Sequence, residues 1–341
     1  TSIEFVSREV FKTQQLRTFQ MGMIQLCINP SIFDCKFLLV TRTGSGKSHV
    51  MRTLGVLVGG VVIIFVPLLS LSADQMSKML EASQKYGTVE THNLDELPTD
   101  DGGIKLAKIV NRIEELQETT TSTIFLFTSP QFLCRKSSEG LLKALISARK
   151  RKVLRVVGID EAHLFVQHSS FRVEIHMLTE LFFKHIFDDD TATHPIFLAM
   201  TATMPLQYVS KLEALTNVSL EKCRRWRQGP EHFMQTSIKM EYQVNTVTFA
   251  PALDRLVKVI QETTSDCVVV LTTLAATAKS LESKFCEKLN KAKCSVDVVL
   301  VHGQLPKTEK FINMRLFCAK LTYEFFCPRA LVTNGAGNTG I

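Results

Sequence analysis

The chain has 341 residues, of which 45% are hydrophobic and 21% are charged. This composition is typical of a globular protein and excludes a low-complexity polypeptide, and the length suffices for two domains that each bury a core. The formal net charge of +7 and a pI near 8.9 favour an anionic partner such as nucleic acid.

Short apolar or β-branched runs recur along the chain and are separated by helix-length stretches. They are Lys36–Val40, Val61–Val66, Ile124–Thr128, Val153–Ile159, Ile196–Met200, Cys267–Leu271, Val296–His302 and Arg329–Thr333. Continuous apolar runs suit strands that are buried on both faces, as in a parallel sheet covered by helices. We therefore predict an α/β fold with two doubly wound parallel sheets, of which the first contains the first five strands.

The same runs suggest where the domains begin and end. We predict a first domain at residues 1–220, a linker at 221–243 and an incomplete second domain at 244–341. The linker contains Arg224-Arg225-Trp226-Arg227, which could stack on a single nucleic-acid strand or anchor one domain on the other. The polar, turn-rich stretch Thr88–Gly103 is predicted to be a surface loop.

Two features bear on the cellular compartment. The nine cysteines include no Cys-x-x-Cys pair, which indicates reduced intracellular thiols rather than a zinc site or a disulfide framework. The uncharged stretch Thr53–Ala73 is long enough to cross a bilayer, but Gly59-Gly60 lies in its middle and Pro67 follows. A helix end followed by a short buried strand explains this stretch better, so we predict no membrane segment.

The strongest functional pattern is a glycine-rich segment between a predicted strand and a predicted helix. It reads Thr41-Arg42-Thr43-Gly44-Ser45-Gly46-Lys47-Ser48. Glycines let backbone N–H groups turn toward phosphate oxygens at a helix N-terminus, where the helix dipole favours anions. This pattern predicts a P-loop in which Thr43 to Ser48 bind ATP, Lys47 reaches the β- and γ-phosphates and the Ser48 hydroxyl holds Mg²⁺. Thr41 occupies a position where the strict pattern has glycine.

A second functional pattern, Asp160-Glu161-Ala162-His163, ends the apolar run Val153–Ile159. Adjacent carboxylates at a strand end are commonly a solvated turn, but the P-loop upstream favours a catalytic interpretation. Asp160 would hold Mg²⁺ through water, and Glu161 would polarise the attacking water. We therefore predict Lys47, Asp160 and Glu161 as the catalytic residues.

The order of the P-loop, Asp160-Glu161-Ala162-His163 and Thr201-Ala202-Thr203 resembles that of superfamily-two DEAH-box helicases, and further segments resemble the RecQ type. The resemblance implies tandem RecA-like domains that couple Mg·ATP hydrolysis to 3′–5′ movement on single-stranded DNA and to duplex unwinding. It implies a role in DNA repair and recombination, and a nuclear location if the source is eukaryotic.

The resemblance also assigns residues to nucleotide recognition and to coupling. Gln14–Gln20 resembles the nucleotide-recognition segment, which implies that Arg17 and Gln20 lie near ATP. Residues 167–172 resemble the aromatic-rich loop that couples DNA contact to hydrolysis. The coupling residues implied by the family motifs are His163, Gln167, Phe171, Arg172, Thr201 and Thr203.

Four further segments resemble motifs that contact the nucleic-acid backbone. The residues implied are Ser70, Thr128, His302 and Thr333. Contacts of this kind go mainly to phosphates, so we expect sequence-independent, salt-sensitive binding of single-stranded or forked DNA, with RNA as an alternative.

The arginine finger that the family supplies from its last motif has no counterpart in this sequence. We therefore expect this chain alone to bind Mg·ATP, to hydrolyse it slowly and to leave duplexes intact. The alternatives are an RNA helicase, a duplex translocase and a non-catalytic nucleotide-binding scaffold. The intact Lys47, Asp160 and Glu161 argue against the scaffold.

Overall fold

The computed structural model describes residues 2–13, 15–29, 35–66, 79, 88–97, 102–188, 194–220, 224–227, 249–262, 267–272, 275–293, 296–302, 304–318 and 329–334. The chain divides into two units, Thr1–Thr236 and Ser237–Ile341. The division lies within the predicted linker, and the exact domain bounds stay a prediction.

A seven-stranded parallel sheet forms the centre of the first unit, with strand order β3-β4-β2-β5-β6-β1-β7. Its strands are β1 (Lys36–Val40), β2 (Gly60–Phe65), β3 (Val89–Asn93), β4 (Thr123–Thr128), β5 (Leu154–Ile159), β6 (Ile196–Thr201) and β7 (Arg224–Arg227). The predicted doubly wound α/β fold is confirmed, and the five predicted strands of this unit form its middle.

Helices connect these strands. They are α1 (Ser2–Phe5), α2 (Thr18–Ile28), α3 (Lys47–Val58), α4 (Gly102–Glu115), α5 (Pro130–Leu133), α6 (Glu139–Lys150), α7 (Ala162–His168), α8 (Val173–Leu178), α9 (Lys184–Ile186) and α10 (Leu206–Thr216). Two π-helical turns, Val6–Val10 and Thr179–Phe183, extend α1 and α8.

Both faces of the middle of the sheet are buried, because alternate residues of β1, β2, β4, β5 and β6 enter separate apolar cores. In β1, Leu38 belongs to one core and Leu39 to the other. A cluster of phenylalanines fills part of the first core. The ring of Phe65 lies 5.6 Å from that of Phe182 and 5.4 Å from that of Phe183, measured between centroids. This double burial explains why the strands read as continuous apolar runs.

The prediction of a surface loop at Thr88–Gly103 is wrong. Val89–Asn93 forms β3 and Leu94–Glu96 forms a 3-10 turn, with Val89 and Leu94 buried. Among the described residues, β3 pairs only with β4 and lies at the edge of the sheet. An edge strand carries polar residues, so its sequence lacks the apolar run that marks the central strands.

Part of the predicted linker is also a strand. Arg224–Arg227 forms β7, which pairs in parallel with β1 and sets Trp226 opposite Leu39. These four residues therefore belong to the sheet of the first unit. The pairing gives Trp226 a place beside the strand that leads into the P-loop.

The second unit contains a three-stranded parallel sheet in the order β8-β10-β9. Its elements are α11 (Phe249–Glu262), β8 (Cys267–Thr272), α12 (Ala275–Lys291), β9 (Asp297–Val301), α13 (Lys307–Cys318) and β10 (Arg329–Asn334). Phe285 of α12 is fully buried in the core of this unit.

The uncharged stretch that begins at Thr53 contains the end of α3 and the whole of β2. Helix α3 ends at Val58, and Gly59 and Gly60 both have positive φ, at +66° and +72°. Among the residues that the structure describes, no helix is long and apolar enough to cross a membrane.

Candidate nucleotide-binding site

The P-loop connects the carboxyl end of β1 to the N-terminus of α3, which begins at Lys47. Gly44 and Gly46 have φ values of +72° and +89°, in the left-handed region that glycine adopts without strain. The loop therefore wraps around the start of a 12-residue helix. Its backbone N–H groups and the helix dipole suit an anionic group such as a phosphate.

Two buried hydroxyl groups hold the loop to the sheet. Thr41 Oγ1 and Ser45 Oγ lie 2.5 Å apart. The Thr41 N–H donates to the backbone oxygen of Thr201 at 3.1 Å, which extends the β1–β6 ladder by one bond. The P-loop is thus joined directly to the end of β6, where Thr201-Ala202-Thr203 begins.

Lys47 is 6% exposed. Its Nζ donates to the backbone oxygens of Thr41 at 3.3 Å and Arg42 at 3.4 Å, so the ammonium group lies inside the loop. Its charge also lowers the pKa of Glu161, which places it within electrostatic reach of that carboxylate. The contact of Lys47 with the β- and γ-phosphates stays a prediction.

Arg17 and Gln20, at the start of α2, contact the P-loop from outside the sheet. The Arg17 guanidinium donates to Ser45 O at 2.9 Å, and the Gln20 side chain donates to Gly46 O at 3.0 Å. Gln20 Oε1 also accepts from the Arg17 N–H at 2.8 Å. The structure therefore brings both predicted recognition residues to the P-loop, and the Gln20 carboxamide joins the loop to the start of α2.

Asp160 and Glu161 follow β5, beside the end of β6. Asp160 is 3% exposed, and its N–H donates to Phe65 O at 3.0 Å. Its Oδ1 accepts from the Glu161 N–H at 3.0 Å, and Glu161 has a left-handed backbone with φ of 48°. A left-handed non-glycine residue of this kind is uncommon and concentrates at functional sites.

His163 links Glu161 to Thr201. Its Nδ1 lies 2.7 Å from Thr201 Oγ1 and 3.4 Å from Glu161 Oε2. The Thr201 hydroxyl also donates to Thr203 O at 2.9 Å. The structure therefore joins His163, Thr201 and Thr203, three of the predicted coupling residues, to the carboxylate at the end of β5.

Glu161 is ionised in this setting. Burial, the largest influence, would raise the pKa of its carboxyl group. The hydrogen bond from His163, the charges of Lys47 and His163 and a backbone hydrogen bond from Ala202 outweigh burial, and the pKa falls below its ordinary value of 4.5. A carboxylate that is charged at neutral pH can accept a hydrogen bond from water.

Mg²⁺ binds to oxygen atoms, so the predicted Mg²⁺ site needs protein groups that carry them. Ser48 is the second residue of α3, and Asp160 is nearly buried at the end of β5. The described residues contain no group of three or more His, Cys, Asp or Glu that could hold a metal ion. A Mg²⁺ ion usually keeps several waters and binds through one or two protein groups plus substrate phosphates, and the Ser48 hydroxyl and the Asp160 carboxylate stay the predicted protein groups.

The predicted aromatic-rich loop follows α7. The Phe171 side chain is 69% exposed, its ring centroid lies 5.1 Å from that of His168, and the Arg172 guanidinium lies 5.7 Å from its centre. Burial, with the charges of Arg172 and His163, lowers the pKa of His168 to about 4, so this ring is neutral at physiological pH. Gln167 donates to the hydroxyl of Tyr208 at 3.3 Å.

The predicted nucleic-acid contacts are less accessible. Thr128, His302 and Thr333 are 1%, 6% and 0% exposed. The Thr128 hydroxyl donates to Ser129 O at 3.3 Å. Ser70 lies outside the described residues. Contacts of these four residues with nucleic acid stay a prediction.

Sequence reasoning missed Asp95. This residue follows β3, and its two carboxylate oxygens accept from Ser129 N–H and Ser129 Oγ–H, each at 2.6 Å. Ser129 Oγ in turn accepts from the Phe132 N–H at 3.2 Å and caps α5. Asp95 thus fixes the segment Thr128-Ser129-Pro130. No motif marks it, since it lies in the stretch interpreted as a loop.

The sequence and the fold of this chain are similar to those of known proteins. The chain is 25% identical over 166 residues to "ATP-dependent DNA helicase Q-like 4B" of Arabidopsis thaliana. That match covers 49% of this chain and 13% of the relative, so the chain spans a small part of the relative's length.

The fold is similar to two solved structures. One is S. cerevisiae Dbp5 bound to RNA and ADP BeF3, with a TM-score of 0.67, 12% identity, and coverage of 100% of this chain and 75% of the other. The second is the Mycobacterium smegmatis helicase Lhr bound to ssDNA and AMP-PNP, with a TM-score of 0.57, 14% identity, and coverage of 97% and 41%. These similarities concern the fold alone and confirm the predicted RecA-like α/β architecture.

The family model for DEAD/DEAH box helicases matches residues 22–212, which contain the P-loop, Asp160-Glu161-Ala162-His163 and Thr201-Ala202-Thr203. The match covers more than half of the chain and includes every contact of Lys47, Glu161 and Thr201 described above. This chain belongs to the DEAD/DEAH box helicase family.

Proposed function

We propose that this chain is the motor of a RecQ-like DNA helicase, which couples hydrolysis of Mg·ATP to 3′–5′ movement along single-stranded DNA. The observation that carries the proposal is the chain of contacts from the Glu161 carboxylate through His163 to Thr201, with the charge of Lys47 of the P-loop close enough to lower the pKa of Glu161. Similarity to the Arabidopsis DNA helicase supports the choice of DNA.

The side chains of the site divide the chemistry of ATP hydrolysis. The backbone N–H groups around Gly44 and Gly46 and the Lys47 ammonium bind phosphate oxygens at the start of α3. The ionised Glu161 accepts a hydrogen bond from the attacking water and orients it. Ser48 and Asp160 would hold Mg²⁺, which neutralises charge on the phosphates when bound.

His163 and α7 give this site a physical connection to an exposed surface. His163 lies in the first turn of α7, which ends at His168, and the ring of His168 contacts Phe171. A base stacked on the exposed Phe171 would act on the last turn of the same short helix whose first turn contacts Glu161 and Thr201. The helix can therefore transmit strand contact to the water-orienting carboxylate.

A second candidate is an RNA helicase with the same motor. The solved structure with a TM-score of 0.67 is described as bound to RNA, although at 12% identity this similarity concerns the fold alone. Backbone contacts read phosphates in either nucleic acid, so the motor itself discriminates weakly between the two.

The test is the ATPase rate without nucleic acid, with single-stranded DNA and with single-stranded RNA. Lys47→Ala gives the blank. Lys143→Ala is the matched control, since the Lys143 side chain is 75% exposed on α6 and its loss removes the same charge away from the P-loop. We expect a low rate above the blank that single-stranded DNA increases more than RNA does, with Lys143→Ala unchanged.

Three results would contradict parts of the proposal. A larger increase with RNA would favour the RNA helicase. A rate no higher than that of Lys47→Ala, with Mg·ADP still bound, would favour a nucleotide-binding scaffold. An equal loss of ATPase rate in Lys47→Ala and Lys143→Ala would show that the P-loop lysine has no specific role in hydrolysis.

A further inference from the structure

Thr41 has a side chain that the nucleotide chemistry described above does not use. It is fully buried, at 0% exposed, and Ser45 is 1% exposed. The hydroxyls of the two residues lie 2.5 Å apart, so each satisfies the other in a place that water does not reach. A glycine, which the strict P-loop pattern has at this position, could not form this bond.

The two partners differ in how firmly the rest of the fold holds them. Thr41 continues β1, and its N–H donates to Thr201 O at 3.1 Å. Ser45 lies between Gly44 and Gly46, which adopt φ values of +72° and +89°. Because glycine has no Cβ, many other backbone conformations are also open to these two positions. The hydroxyl bond therefore ties the middle of the loop to a residue fixed by the sheet.

The carbonyl of Thr41 adds a second link to the same loop, since it accepts from Lys47 Nζ at 3.3 Å. Thr41 thus contacts the centre of the loop through its side chain and the phosphate-binding lysine through its backbone. A change that removes only the hydroxyl would leave the lysine contact and the β-ladder bond in place. The role of the hydroxyl can therefore be measured by itself.

We infer that Thr41 is a positioning residue, whose hydroxyl holds Ser45 and the N–H groups of the P-loop in their phosphate-binding arrangement before the nucleotide arrives. The inference rests on the proposed function, because it presupposes that the P-loop binds a nucleotide. A loop ordered in advance loses less conformational entropy when its ligand binds, so the bond acts on affinity. It does not act on the water-orienting step at Glu161.

The experiment compares Thr41→Val with Thr41→Ser in the full chain. Valine keeps the shape of threonine and removes the hydroxyl, whereas serine keeps the hydroxyl. Mg·ADP binding is measured by calorimetric titration, and the KM and kcat for ATP are measured where the rate allows. We expect Thr41→Val to weaken Mg·ADP binding about tenfold, equivalent to about 1.4 kcal/mol. Thr41→Ser should bind within about twofold of the unchanged chain, and KM should rise in Thr41→Val while kcat stays nearly constant.

A double-mutant cycle tests the pairing itself. Ser45→Ala should weaken binding by a similar factor, and the double variant Thr41→Val/Ser45→Ala should be no weaker than either single variant. If Thr41→Val does not fold, as judged by its thermal unfolding transition, Ser45→Ala and Thr41→Ser carry the test. Ser45→Ala that binds Mg·ADP as tightly as the unchanged chain would then overturn the inference.

Other results separate this inference from the proposed function. Thr41→Val that binds as tightly as the unchanged chain, or losses that add fully in the double variant, would overturn the role of the hydroxyl pair alone. Failure of the unchanged chain to bind Mg·ADP would refute the proposed function and this inference with it. A fall in kcat with unchanged KM would also overturn the inference, since it would place Thr41 in the chemical step.

Discussion

Replacement of Gly46 by alanine tests how the recognition segment and the P-loop hold each other. A Cβ atom at Gly46 would lie 2.4 Å from Gln20 Nε2, the atom that donates to Gly46 O. Since this nitrogen is the far end of a side chain, the carboxamide can turn away from the methyl group. The substitution should therefore remove the Gln20 hydrogen bond and leave the backbone of the loop intact.

The expected magnitude has two parts. Gly46 has a φ of +89°, and a left-handed conformation costs a residue with a Cβ about 1–2 kcal/mol. Loss of the Gln20 bond adds about 0.5–1.5 kcal/mol. Gly44→Ala is the matched control, because Gly44 has a φ of +72° but nothing lies within 4 Å of its added Cβ. We expect Gly46→Ala to cost about 1 kcal/mol more than Gly44→Ala in free energy of unfolding.

Denaturant unfolding followed by tryptophan fluorescence is the suitable assay. Trp226 is the one tryptophan of the chain and lies in β7, beside the strand that leads into the P-loop. The unfolding of both glycine variants is then measured again in chains that also carry Gln20→Ala. In these chains Gly46→Ala and Gly44→Ala should lower the free energy of unfolding by equal amounts. If Gly46→Ala and Gly44→Ala cost the same while Gln20 is present, the contact contributes nothing and the reasoning is refuted.

Phe65→Ala should lower the free energy of unfolding by about 3–5 kcal/mol, because the fully buried Phe65 ring contacts three other aromatic rings. Phe5 is 64% exposed, so Phe5→Ala should change the free energy of unfolding by less than about 0.5 kcal/mol in the same denaturant titration. Asp95→Ala should cost about 1–3 kcal/mol, since two donors of Ser129 lose their acceptor. Asp95→Asn keeps one acceptor oxygen and should cost less; equal costs would contradict this account. The lowered pKa of Glu161 stabilises the fold above pH 4.5, and this contribution should be lost as pH falls from 4.5 toward the lower folded-state value. The free energy of unfolding of Glu161→Gln, measured against pH, should lack this loss below pH 4.5. If the variant and the unchanged chain lose stability equally as pH falls, the fold does not stabilise the ionised carboxylate.

The central strands and the site residues at their ends could be read from the sequence for one physical reason. Strands buried on both faces must be apolar throughout, and β1 was predicted with the bounds that it has, Lys36–Val40. In the sheet β5, β6 and β1 are neighbours. Their carboxyl ends therefore meet at one edge, which brings Glu161, Thr201 and the P-loop together.

The rest of the structure left no comparable signal. The edge strands β3 and β7 are polar and were interpreted as a loop and a linker. The bond between Asp95 and Ser129 joins residues on neighbouring strand ends, and no local pattern of residue types indicates it. The Thr41–Ser45 hydroxyl pair was visible only as a departure from the glycine of the strict P-loop pattern, without the partner that explains it.

The place of β1 in the sheet has a consequence for the order in which the protein folds. β1 pairs with β6 on one side and with β7 on the other, and both are made far later in the chain. Pairings between such distant segments require the closure of long loops and form slowly. A nascent chain that ends before Ile196 offers β1 neither partner, so the strand that leads into the P-loop has no place in the sheet. We expect nucleotide binding to be among the last properties that the first unit acquires during synthesis, and the incomplete chain to depend on chaperones until then.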